Sequence, residues 1–395
     1  MKHYLTIGLH ASRKTMLKLV ILYFAVYTFY YVIQMTAQAQ YGLEDSATVL
    51  VFFNFSAALS LSFSWVFLRR IRKTRILYAW ALLSVIFPVL LASTTRLVDA
   101  YVLASTTGFL FGIATWAFSL YFINETVVEE RGRLGGLATA IMLLAAPFFI
   151  SVAGASYGVY VFLSLLILLT AVMKPEDNPP DTKVKALMPL FRSHGKDFLL
   201  YLLPWLILCI NNSTFIPIVE ILLYNTFYEY GVHAFLLKYL SAGLGAFGLG
   251  VLMDWRGRKA VLIFGFSILG VAACLSGLIP NLPSYLFFSI VSGLAWSPLL
   301  VLYLLIVWAE VAPPPLTPLY VSLGLAVYHI AQGLGTLLTP RLPIGAYEAA
   351  LINASLMFLS VLFLVYAPPL LPRDVKERMH FKLYLAQVKK RLQPD

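Results

Sequence analysis

Charge is scarce in this chain. Only 12% of its 395 residues are charged, about half the share of a soluble domain. A water-soluble body of this length would need a polar surface that this composition does not supply. Cysteine is scarcer still. Cys209 and Cys274 lie in separate apolar runs, which excludes a disulfide framework and reads as two small buried hydrophobes. No Gly-x-x-x-x-Gly-Lys-Ser/Thr string occurs, so a P-loop that would drive ATP-dependent pumping is missing. Long polar loops are absent too, apart from one stretch near the middle. An integral membrane enzyme would need carboxylates, His or Cys gathered in such loops, and that stretch carries no such cluster.

Apolar length is abundant. Hydrophobic residues make up 60% of the chain and the mean hydropathy is +0.83. Runs of about 20 residues recur throughout, enough to cross a bilayer as helix. The expected fold is all-α and polytopic. We read about twelve spans, near 17–39, 46–68, 76–95, 98–123, 134–154, 156–173, 198–222, 232–253, 261–279, 284–309, 319–340 and 346–367. The first is long for a signal-peptide core and reads as a retained span. Residues 174–197 are polar, Pro-rich and basic, and read as a linker. The expected organisation is a six-helix half at 1–173, this linker, a second half at 198–367 and a basic tail at 368–395, in which 373–391 suits an amphipathic helix.

The net charge of +11 does not point to nucleic acid. Of the 29 Lys and Arg, 26 fall on alternate loops and the two ends of the chain. That asymmetry predicts cytoplasmic termini, an even number of spans and a cell-membrane location. A shift of 186 residues also lays 46–68 on 232–254, 76–94 on 262–280, 98–122 on 284–308 and 134–154 on 320–340, with Arg72-Lys73 on Arg258-Lys259. Parallel halves of this kind are one transporter architecture.

The most specific string is Gly250-x-x-x-Asp254-x-x-Gly257-Arg258-Lys259. Charges are costly at membrane depth, so the chain leaves the hydrocarbon here, and Gly257 permits a sharp turn. The string resembles the signature loop of the major facilitator superfamily, which joins the second and third helices of a six-helix half. The corresponding first-half loop has lost the signature, with Leu68 at the place of Asp254 and Ile71 at that of Gly257. A second family-like stretch runs from Glu125 through Arg131 to Arg133. Its counterpart is weak, because Glu310 is followed by Pro313-Pro314-Pro315 with no Arg.

The resemblance implies a secondary transporter that moves a small organic solute by alternating access. It implies no cofactor, protons as a possible coupling ion, the lipid bilayer as surroundings and a monomer. It also implies a cavity lined by the first, fourth, seventh and tenth spans. That picks out Gln34, Trp116, Asn211, Asn212 and Trp296 as solute contacts. The gating set would be Gly250, Asp254, Gly257, Arg258, Lys259, Glu125, Arg131 and Arg133, with Asp254 docking on the start of the fifth span near Arg133 to Gly136. Packing between helices is the plain alternative for the aromatic and amide residues.

Two further features come from the residues themselves. Asn211-Asn212-Ser213-Thr214 before Pro217 favours local unwinding. Lys238, about two turns into the eighth span, must either snorkel or pair, with Glu220 the nearest candidate partner, and it joins the candidate solute contacts. The first half has no carboxylate at mid-membrane, which favours neutral or anionic solutes over large cations. Glu220, His329 and Glu348 are the titratable groups available for coupling. Two other functions fit the same composition: an integral membrane enzyme, and a sensor or scaffold that does not transport.

Overall fold

The structure is a computed structural model that describes residues 11–68, 70–84, 86–153 and 187–370. The expected sixth span, most of the linker and the tail beyond Leu370 lie outside the described residues. Among the described residues there is no strand, and ten helices are long and apolar enough to cross a membrane. This is an all-α, multi-pass membrane architecture.

The chain enters α1 (Arg13–Gly42) through Ser12, whose hydroxyl accepts from Thr15 N at 3.1 Å. This satisfies one of the orphan N–H groups of the first turn. Gly42, at φ 75°, breaks the helix before α2 (Glu44–Phe67). The expected third span forms as two pieces, α3 (Lys73–Ser84) and α4 (Ile86–Ser93). Then come α5 (Leu97–Glu125) and α6 (Arg131–Ala153), the latter at the position of the expected fifth span.

After the undescribed stretch, α7 (Leu187–Ile210) begins inside the expected linker, because 187–191 is already apolar. It runs into a π-helical turn, Asn211–Phe215, and on through α8 (Ile216–Thr226). Next are α9 (Gly231–Arg256), α10 (Arg258–Leu278) and α11 (Leu282–Val301). A second π-helical turn, Leu302–Ile306, leads to α12 (Val307–Val311). The last two helices are α13 (Thr317–Leu338) and α14 (Ala346–Tyr366).

Two pairings hold early and late parts of the chain together: α6 packs on α9, and α13 packs on α1 and α2. The first is a close approach of backbones. A Cβ added to Gly250 would stand 2.5 Å from the Gly132 carbonyl oxygen and 2.9 Å from the Gly136 Cα. Small residues permit this contact in an environment where apolar burial does little to drive helices together.

The π-helical turns leave backbone carbonyls without regular helical partners, and neighbours supply them. Pro217 has no N–H to offer the Ser213 carbonyl four residues back. Thr339 Oγ1 donates to that oxygen instead, at 3.0 Å. The expected unwinding at 211–214 thus takes the form of a widened turn. In the second turn, Leu304 O accepts from Ser119 Oγ of α5 at 3.1 Å.

Candidate functional site

Two constructions stand out in the bundle. The first is a buried ion network at its basic end, where α5 meets α6 and α9 meets α10. Gly257, at φ 101°, makes the turn between α9 and α10. Asp254 is 4% exposed and caps the start of α6. Its Oδ1 accepts from Gly132 N at 2.9 Å and its Oδ2 from Arg133 N at 2.9 Å. Arg133 Nε adds a contact at 3.2 Å, and Arg258 Nη2 one at 3.3 Å. A helix N-terminus offers unpaired N–H groups and partial positive charge, so a carboxylate is well placed there.

The network continues to Glu310, near the end of α12. Its Oε2 lies 3.2 Å from Arg258 Nε and its Oε1 3.7 Å from Arg131 Nη1. Arg258 is wholly buried, and also donates to the Val128 carbonyl. Arg131 Nη2 donates to Ile123 O at 3.1 Å, closing the end of α5 onto α6. Glu130 is fully buried and accepts from the backbone N of Ala11 at 3.2 Å, which ties the chain's start to the same cluster. Lys259 points elsewhere: its Nζ donates to Val365 O at 2.8 Å and Ala367 O at 2.7 Å, at the carbonyl end of α14. This is the favourable place for a cation on a helix.

The second construction is a cavity about halfway along α1. Its volume is about 60 Å³, room for a few waters. Tyr27, Tyr30 and Tyr31 of α1, Phe111 and Thr115 of α5, Met142 of α6, and Tyr328 and His329 of α13 line it, with apolar side chains from α11, α13 and the second π turn. Asn54 of α2 fixes His329. Its Nδ2 donates to Leu50 O at 2.9 Å, so its Oδ1 is the atom 2.9 Å from His329 Nδ1. Nδ1 therefore carries the hydrogen in this contact, which leaves Nε2 an acceptor when the ring is neutral. Aromatic rings hold the imidazole in place: Tyr328 at 5.1 Å, Phe111 at 5.6 Å and Tyr30 at 6.5 Å between centroids.

The structure distributes the sequence candidates unevenly. His329 lines the cavity. Gln34, Trp116, Asn211, Asn212 and Trp296 are not among its lining residues. Trp116 is fully buried, donates to Pro318 O at 3.1 Å and lies under the Lys73 ammonium, 4.8 Å from the ring centroid. It pins α5 to the start of α13. Asn211 is fully buried in the first π turn, and its amide has no hydrogen-bond partner among the described residues. Gln34 and Asn212 are half-buried, and Trp296 is buried on α11.

Lys238 and Glu220 meet, at 2.5 Å between Nζ and Oε1, with about a third of each side chain exposed. In the gating set, Asp254, Arg131, Arg133, Arg258, Gly250 and Gly257 come together at the basic end. Arg258 pairs with Asp254 and Glu310. Arg256 instead lies over the exposed Trp255 ring, at 4.9 Å. Glu125 closes α5 and is half-buried, and Glu348 sits in the first turn of α14. Sequence reasoning missed Glu310 as a member of the network and Asn54 as the partner of His329. A carboxylate at the end of an apolar run was the available signal for the first.

No protein-family model matches the chain, and no curated protein matches it.

Proposed function

We propose that this protein is a secondary transporter of the major facilitator type, with twelve spans in two six-helix halves and cytoplasmic termini. It moves a small organic solute by rocking the halves about a mid-membrane site. The observation that carries this reading is the cavity. Helices from both parts of the chain line it, and Asp254, Arg258 and Glu310 join those parts at the basic end. Alternating access needs a small central site with a seal that forms and breaks on one side.

In this reading the Asp254–α6 contact is a gate, closed in the state described. The half-buried outer pair, Lys238 and Glu220, stands near the other mouth. His329 is the titratable group best placed to couple a proton to solute binding, since its imidazole lines the cavity. Ten spans together with α6 leave room for a twelfth in 156–173. The sequence resemblance at Gly250 to Lys259 supports the family.

The test is flux. Purified protein in liposomes, given a labelled panel of neutral and anionic organic solutes with and without a proton gradient, should show saturable uptake of at least one. Protein that is folded yet passes none of the panel in either direction would remove the transporter reading in favour of a sensor, a scaffold or a membrane enzyme.

A further inference from the structure

The cavity offers a narrow range of chemistry. Tyr27, Tyr30, Tyr31, Phe111 and Tyr328 give it rings, and His329 gives it an imidazole. No Asp, Glu, Lys or Arg is among the described residues that line it. A charged solute would leave water there with no opposite charge to meet it, which is expensive. Ring faces attract a cation, but by less than a small ion loses with its hydration. The lining therefore selects against charge of either sign.

One polar atom is left for a ligand. Asn54 is not among the lining residues, yet it fixes the tautomer of His329 from behind. Its Nδ2 donates to Leu50 O at 2.9 Å, and its Oδ1 meets His329 Nδ1 at 2.9 Å. The hydrogen of the neutral ring is thereby drawn to Nδ1. The neighbours that hold the ring, Asn54, Tyr30, Phe111 and Tyr328, bring no carboxylate that would favour the imidazolium. Nε2 has no hydrogen-bond partner among the described residues. It is a lone pair that asks for a donor. Size sets a further bound. The volume of about 60 Å³ is well under the roughly 150 Å³ of a cavity that takes up benzene.

We infer that the cavity takes a small uncharged solute, an amide or alcohol of a few heavy atoms, that donates a hydrogen bond to His329 Nε2, and that Asn54 is the positioning residue that makes this nitrogen an acceptor. The apolar part of the solute lies against the ring faces. Tyrosine hydroxyls of the lining can rotate to answer a carbonyl on the same molecule. Asn54 touches no solute and acts through His329. The class of cargo rests on the carrier reading, but the binding does not.

The test uses the full chain in lipid nanodiscs, with acetamide, acetone, acetate and tetramethylammonium as probes. The first three have nearly the same shape and differ in donor and charge. Binding is read by titration of saturation transfer to the methyl protons of each probe, with empty nanodiscs as the blank. Acetamide should bind about tenfold more tightly than acetone, which leaves Nε2 bare. It should also bind more tightly than either ion. Asn54→Asp should bring the acetamide-to-acetone ratio to about one. A carboxylate at that place favours the imidazolium, whose Nε2–H is a donor, and both probes offer it a carbonyl. His329→Phe keeps a ring and removes the acceptor. It should level the ratio as well, and serves if the Asp variant folds poorly.

A tenfold ratio that survives in these variants would overturn the inference, because Asn54 and His329 would then be packing residues only. So would tighter binding of acetate or tetramethylammonium, or no saturable binding of acetamide to the wild type. Acetamide selectivity of the expected kind without flux in liposomes would keep the site and remove the carrier. Saturable flux of another solute, by protein that does not select acetamide, would keep the carrier and overturn the inference.

Discussion

Asp254 shows how much a single carboxylate can hold. Both of its oxygens accept from N–H donors at the start of α6, and two guanidiniums flank it. In Asp254→Asn one oxygen becomes an NH2 group that faces donors, so half of the cap is lost and each arginine loses one carboxylate partner. We expect the basic end to open. A shift of about 1.4 kcal/mol changes the ratio of states tenfold. Spin labels at the exposed positions Val127 and Trp255 should give a longer mean distance in the variant. Superimposable distance distributions would leave Asp254 a fixed structural contact. Glu310 behaves differently, because it is buried between Arg258 and Arg131. Glu310→Gln should cost about 3 kcal/mol, the low end for stripping a buried charge of a partner, since Asp254 still faces Arg258. Thermal unfolding in detergent reads this, and an unchanged midpoint would mean that water already screens the pair. Of these two residues only Asp254 was legible beforehand, because its role is spelled by residues three and four positions away on the same turn. Glu310 has no such local spelling. Its partners come from other helices.

At the scale of helices, close approach and broken hydrogen bonds set the geometry. Gly250→Ala places a methyl group 2.5 Å from a backbone oxygen of α6, and neither backbone can yield cheaply. We expect a loss of roughly 1–3 kcal/mol from forced repacking. Gly248→Ala is the matched control. Its Cβ meets nothing within 4 Å, so the gain in helix propensity, up to about 1 kcal/mol, should appear instead. Equal effects of the two substitutions on the unfolding midpoint would show that α6 and α9 are not packed as described. The first π turn offers a cycle. Thr339→Val removes the donor to Ser213 O and should cost about 1 kcal/mol. In a Pro217→Ala background the restored N–H can reach that oxygen, so the same change should cost little. Additive losses in the double variant would mean that Thr339 acts elsewhere. The Asn-Asn-Ser-Thr run before Pro217 announced an irregular turn from local chemistry alone, whereas nothing in Leu302–Ile306 did. That second irregularity meets its partner only across helices, in Ser119 on α5.

For the whole molecule, the direction of each helix follows from where its ends lie. The backbone at Ala11 sits on Glu130 at the basic end. A helix of 30 residues, Arg13–Gly42, rises about 45 Å, so the turn at Gly42 lies at the opposite end. A reporter inserted near 40–45 should therefore read the opposite side of the membrane from one in 180–190, and external if the basic loops are cytoplasmic. The same side for both would overturn the assignment of the first two spans. Apolar lengths, the asymmetry of the basic loops and the charged turn at 254–259 are all readable along the chain. Those features follow from the cost of charge and open backbone in hydrocarbon, a cost each segment bears alone. Which polar groups share a cavity follows from how the helices pack. Tyr27, Tyr30 and Tyr31 of α1, Asn54 of α2 and His329 of α13 sit in separate spans, with no local sign that they meet. Helices with little hydrophobic drive to associate in lipid are placed by small-residue contacts and interhelical hydrogen bonds. The partners in those contacts stand hundreds of residues apart, as Asn54 and His329 do, and no local pattern encodes them.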